Sequence, residues 1–190
     1  MAHGVAPVSA PSIPTQPDFV GFGPEQARVV RDALGLFAEA GLRLPPIVFR
    51  ASLDKAACHG RDGWYSANAQ RVRITLCSSQ RDARERHVVL HELAHAWAAF
   101  DLSTTRRSEF QAVRGWTYWL DYDHATWRNN GGEQAAEIIA WGLNDHSAPA
   151  LSIDHKSCAE LAAGYVALTG SPPLHGLTKV CSAQTTRVLS

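Results

Sequence analysis

Val88-Val89-Leu90-His91-Glu92-Leu93-Ala94-His95-Ala96-Trp97 is the stretch that decides how this chain of 190 residues folds. It lies inside Asp82 to Asp101, a run of good helix formers without Gly or Pro, in which Leu90, Leu93, Ala94, Trp97 and Phe100 supply the apolar positions of a helix. Residues four apart on a helix project from one face on successive turns. The imidazoles of His91 and His95 can therefore converge on one metal ion, with Glu92 beside it. The other positions from Val88 to Trp97 are all uncharged, as a buried metal-bearing helix requires, because a charge there would lack a partner. Even with nine His, a chance His-Glu-x-x-His is expected in only roughly two of a hundred such chains.

Upstream of this helix, Val72, Ile74 and Leu76 alternate with Arg73, Thr75 and Cys77, the period of a strand with one buried face. Gly60-Arg61-Asp62-Gly63 predicts a turn into Trp64-Tyr65, with a second turn near Asn68, and Ile47-Val48-Phe49 predicts a short strand after Pro45-Pro46. A first helix begins at Pro24, carries Val29, Val30, Ala33, Leu34 and Phe37, and stops at Gly41. Downstream, a helix over about residues 105–120 buries Phe110, Val113 and Trp116, and a loop from Tyr122 to Gly132 leads into a helix from Glu133 to Leu143. Ser157-Cys158-Ala159-Glu160 has the spacing of a capping box and opens a last helix that ends at Gly170. Strands precede helices, so the fold class is α+β.

Residues 1–20, with prolines at 7, 11, 14 and 17, read as a flexible tail, and residues 21–190 as one domain. The tail lacks the basic start and apolar run of a signal peptide. Eighteen basic residues balance eighteen acidic ones, which argues against a phosphate-tracking surface and so against nucleic acid as partner. A hydrophobic fraction of 45% and six Trp suffice for a sizeable core, yet no run is long and apolar enough to cross a membrane. The four cysteines contain no Cys-x-x-Cys pair, so a four-thiolate site is not expected. Cys58 and Cys77 bracket a hairpin, and Cys158 and Cys181 a helix and a turn, which favours bridges 58–77 and 158–181 over four buried thiols. Such bridges point to an oxidising, extracytoplasmic compartment, although the N-terminus carries no signal to match.

His91-Glu92-Leu93-Ala94-His95 resembles the motif of the zincin superfamily of zinc metallopeptidases. A catalytic zinc of that kind takes three protein ligands, so a third must follow downstream. Asp101 occupies the position that metzincins use. Position 98, however, is Ala where that family has Gly, and no Met follows Met1 to form its methionine turn. Asp121, Asp123 and His124 are stereochemically able but lie in a loop with no supporting motif. Glu133 and Glu137 sit four apart in an otherwise apolar helix, where two facing acids repel unless a cation neutralises them. This arrangement resembles the gluzincin branch. The resemblance implies Glu133 as third ligand and Glu137 as the acid that hydrogen-bonds a zinc-bearing His, with the reverse assignment open and a solvated helix face as the plain alternative.

The same resemblance implies a zincin-like fold, with a small mixed or antiparallel sheet packed on the active-site helix and further helices C-terminal to it. It implies one Zn2+, a water acidified toward a pKa of about 7, Glu92 as general base, and a peptide or protein substrate. A second donor to the developing oxyanion is sought among Tyr118, Tyr122, His124, Arg128, His146, His155 and Tyr165. The strand Arg71 to Cys77 is expected to be the sheet edge on which an extended peptide pairs, flanked by Arg73 and Thr75. Trp64, Trp116, Trp119, Trp127 and Trp141 are either a substrate wall or core. The alternative function is a non-catalytic binding or sensor module braced by the same zinc.

Overall fold

The computed structural model describes residues 17–69, 71–77, 83–115, 118–119, 130–144, 153 and 157–174. Their elements run β1 (Asp18–Val20), α1 (Pro24–Glu39), β2 (Ile47–Ala51), β3 (Gly63–Asn68), β4 (Arg71–Leu76), α2 (Ala83–Phe100), α3 (Thr104–Arg114), α4 (Gly131–Leu143) and α5 (Cys158–Thr169). The class is α+β, as expected, and the sheet is mixed. Its order is β1-β2-β4-β3: β1, β2 and β4 are parallel, and β3 is antiparallel to β4.

This order corrects the expected edge. β4 is an interior strand, hydrogen-bonded to β2 on one side and β3 on the other, and its Thr75 is buried. The reason lies in the hairpin: the Arg71 N–H donates to Asn68 Oδ1 (2.9 Å), and the chain folds so that β3 lies outside β4. The edge beside α2 is therefore β3. At the other edge, Asp18–Val20 pairs in register with Val48–Arg50, so the last residues assigned to the tail belong to the sheet. Residues 1–16 lie outside the described residues.

Helix α1 starts with Pro24 in its first turn and buries Val29, Val30, Ala33 and Phe37. Helix α3 stops at Arg114 rather than near Leu120, because Gly115 takes a left-handed conformation (φ 69°) and its N–H caps Ala112 and Gln111 carbonyls. Phe110 is buried as expected and Val113 is exposed, while Trp116 lies outside the described residues. Helix α5 carries the anticipated capping box, with Ser157 and Glu160 each bonding the other's backbone N–H.

Helix α4 occupies the centre, and all thirteen of its residues are buried. It packs against α2 and α5, and the apolar core continues through Phe37, Phe49, Ile74, Leu90, Leu93, Ile138, Ile139 and Leu161. It begins two residues before Glu133 because Asn130 caps it, its Oδ1 accepting from the N–H groups of Gly132 (3.0 Å) and Glu133 (3.4 Å). Gly131 is required there: a Cβ would stand 2.6 Å from the Tyr118 carbonyl oxygen. The Gly132 N–H donates to the Trp119 carbonyl (2.7 Å), which fixes where the helix starts and hence where Glu133 points.

Cys58 and Cys77 form the expected disulfide, joining the short 3-10 turn at Lys55–Cys58 to the end of β4. Cys158 is also disulfide-bonded, and its expected partner Cys181 lies outside the described residues. Among the described residues no helix is long and apolar enough to cross a membrane.

Candidate metal centre

Helix α2 carries His87, His91 and His95 at every fourth position, on the face that meets the first half of α4. His91 Nε2 lies 3.1 Å from Glu133 Oε2, His95 Nε2 lies 3.3 Å from the same oxygen, and the two Nε2 atoms are 3.1 Å apart. These three atoms form a nearly equilateral triangle. A tetrahedral ion with bonds of about 2.0–2.1 Å separates its ligands by about 3.3–3.4 Å, so the triangle has the size of one face of such a site. His91, His95 and Glu133 could hold a metal ion.

Burial and hydrogen bonding pull in opposite directions on the charges of this trio. Burial works against a charged His91, but hydrogen bonds to Glu133 and Glu137 outweigh it and push the imidazole up to about 10 in the metal-free protein. Burial likewise opposes a charged Glu133, yet His91 and His95 hold its carboxyl well below the usual range. Two imidazole nitrogens and a carboxylate oxygen at this spacing can share a proton or a metal. Without either, three lone pairs face one another.

Glu137 stands one turn further along α4, behind the trio. Its Oε2 is 3.0 Å from His87 Nε2 and its Oε1 is 3.4 Å from His91 Nδ1. Burial again opposes ionisation, and the two histidines hold the carboxyl down to about 2. Glu133 thus stands at the converging point and Glu137 beside the far nitrogen of His91. His87 was not singled out. Its signal was nevertheless present, since it extends the four-residue spacing of His91 and His95 by one turn on the same helix face.

Glu92 is buried between α2 and β3, and the Tyr65 backbone N–H hydrogen-bonds its carboxylate. Burial pushes the Glu92 carboxyl up, against the pull of His91 and His95. Its position depends on Gly63, where a Cβ would lie 2.7 Å from Glu92 Oε1 and 2.8 Å from Val88 Cγ1. Strand β3 also supplies Tyr65, whose ring stacks on that of His95 with centroids 6.0 Å apart. At its start, the His59 ring packs tilted against Trp64 (4.3 Å), the Arg61 guanidinium lies over the same indole (5.4 Å), and Arg61 Nη1 is 3.9 Å from Glu133 Oε1. Tyr65 and Arg61 escaped the sequence reading because neither belongs to a motif.

Asp101, at the end of α2, is ion-paired with Arg43. Tyr165 is buried with its ring against Gly142, nine residues and about 13 Å along α4 from Glu133, and burial pushes its hydroxyl up to about 12. Tyr118 is exposed. Trp141 is core, whereas Trp119 packs edge-on to Phe110 (6.1 Å) beneath Arg107 (4.8 Å). Asp121, Tyr122, Asp123, His124, Trp127, Arg128, His146 and His155 lie outside the described residues. No protein-family model matches the chain, and no curated protein or solved structure shows significant similarity to it.

Proposed function

We propose that the protein is a zinc-dependent metallopeptidase of zincin-like architecture and gluzincin type, with His91, His95 and Glu133 holding one Zn2+. The observation that carries this reading is the triangle of His91 Nε2, His95 Nε2 and Glu133 Oε2 with the Glu92 carboxylate beside it. Three ligands leave a tetrahedral site one open position, the mark of a catalytic rather than a structural zinc. When bound in such a site, zinc lowers the pKa of water to about 7 and polarises a carbonyl oxygen.

The chain's own groups have separable tasks. Glu92 takes the proton from the attacking water and passes it to the leaving amine, and a carboxyl raised by burial is suited to both directions of transfer. Glu137 Oε1 stands 3.4 Å from His91 Nδ1, where a carboxylate favours the tautomer that keeps Nε2 directed at the converging point. Strand β3 pairs with β4 alone among the described residues, which leaves its outer side for an extended peptide. Tyr65 and Trp64 provide the flanking aromatic surface.

The test is a peptide-library digest with zinc-loaded wild type and Glu92→Gln. We expect cleavage by wild type and a loss of at least about a thousandfold in Glu92→Gln, with zinc still bound one per chain. Hydrolysis that survives Glu92→Gln would sink the assignment of the base. A wild-type protein that holds zinc and binds a partner but cleaves no peptide would be the zinc-braced binding module instead.

A further inference from the structure

The metallopeptidase reading leaves one task unassigned: something beside the metal must hold the carbonyl oxygen as it gains charge. We propose that Arg61 does so. The inference rests on the metallopeptidase reading, and four observations carry it. The first is position. Arg61 Nη1 lies 3.9 Å from Glu133 Oε1, the carboxylate oxygen that does not point at the two Nε2 atoms. The guanidinium therefore borders the metal centre. Its side chain is 50% exposed against 7% for Glu133, so it stands at the mouth of the site rather than behind it.

The second observation is that the group is held in place before any substrate arrives. Its guanidinium lies over the Trp64 indole, which the His59 ring packs against at a tilt. The Arg61 N–H donates to the Cys58 carbonyl (2.9 Å), the Cys77 N–H donates to the Asp62 carbonyl (2.8 Å), and the Cys58–Cys77 bridge closes the same loop. The Asp62 carboxylate is in turn fixed by Lys55 and Arg84.

The third observation is unused hydrogen-bonding capacity. Arg28, Arg84 and Arg114 all donate to side-chain oxygens, whereas the Arg61 guanidinium makes no hydrogen bond among the described residues, 3.9 Å being too long for one. Beyond the ion pair with Glu133 and the contact with Trp64, its N–H groups keep their hydrogen-bonding capacity. The fourth is charge. Glu92, Glu133 and Glu137 bring three carboxylates to the centre, so a new negative charge on the substrate needs a permanent cation nearby, and a guanidinium keeps its charge at any working pH.

The step balances as follows. The water oxygen bonds to the carbonyl carbon, its proton goes to Glu92, and the carbonyl π electrons move onto the oxygen held by Arg61. When that pair returns, the C–N bond breaks and Glu92 gives its proton to the amine. Arg61 thus donates to the charged oxygen more strongly than to the neutral carbonyl. That difference is what accelerates a reaction.

The full chain, wild type and as Arg61→Met and Arg61→Lys, should be loaded with zinc and assayed three ways. These are zinc dissociation against a chelator, affinity for a phosphonate dipeptide as a tetrahedral anion, and peptide hydrolysis. For Arg61→Met we expect kcat and phosphonate affinity to fall together by about 10²–10³-fold, with KM and zinc affinity within about threefold, and partial recovery in Arg61→Lys. Undiminished phosphonate affinity in Arg61→Met overturns the proposal and leaves the metallopeptidase reading standing. A loss of zinc affinity as large as the loss of kcat also overturns it, because Arg61 would then only position Glu133. A wild type that takes up zinc but neither binds the phosphonate nor cleaves peptides removes both.

Discussion

His87 and Glu137 decide how firmly His91 is held, since one carboxylate spans His87 Nε2 at 3.0 Å and His91 Nδ1 at 3.4 Å. Removing His87 leaves a buried carboxylate with one histidine and freer to turn. His87→Ala should weaken zinc binding about 10–100-fold in a chelator competition, and unchanged affinity would show that His91 needs no such support. Protonation sets a second limit on the metal. In the metal-free protein hydrogen bonds to Glu133 and Glu137 raise the His91 imidazole to about 10, so a proton would compete with a metal ion for the converging point. An ion entering there would have to displace that proton. Apparent zinc affinity should therefore fall about tenfold for each unit of pH lowered below about 10, and calorimetry in buffers of different ionisation heat should record about one proton released per ion. The histidine pair and Glu92 were legible as residues because four-residue spacing on a helix is a local property. Arg61 and Tyr65 were not, because their roles come from a strand that crosses the helix.

At the scale of elements, β3 runs against α2 with no room for a side chain at Gly63. A Cβ on Gly63 would meet Glu92 Cγ and Val88 Cγ1 at 2.8 Å, and neither is the free end of a flexible chain. Gly63→Ala should destabilise the protein by about 1–3 kcal/mol in urea unfolding and displace Glu92, lowering kcat more than zinc affinity. Unaltered stability and turnover would mean that the strand can retreat without consequence. The helices were largely readable because their starts and stops are written in local chemistry: Pro24, the Ser157–Glu160 box, Gly41 and Gly170. The expected overrun of α3 past Gly115 has the same origin, since a helical pattern continued on paper where one left-handed glycine ended it in space. Strand order was not readable. Alternation in Val72, Ile74 and Leu76 tells which face is buried, and nothing in it tells which neighbour lies on either side.

For the molecule as a whole, the Cys58–Cys77 bridge ties the loop bearing Arg61 and Gly63 to the end of β4, across a sequence separation of 19. A closed loop of that length stabilises by about 3 kcal/mol, chiefly through the unfolded chain. Cys58→Ser with Cys77→Ser should lower stability by about that amount and loosen the Arg61 loop, so that turnover falls further than zinc affinity. An unchanged denaturation midpoint would count against any such role. The sequence by itself determined the α+β class, the helix that presents His91, Glu92 and His95, and the pair of acids on one later helix, and it favoured the Cys58–Cys77 pairing. All of these depend on periodicity or on neighbours close along the chain. Only the tertiary structure decided that Glu133 reaches both imidazoles while Glu137 joins His87 to His91, that β3 rather than β4 is the edge, and that Arg61 borders the site. Those facts depend on how deeply α4 lies against α2 and on how the hairpin folds over both, distances set by packing between segments remote in sequence.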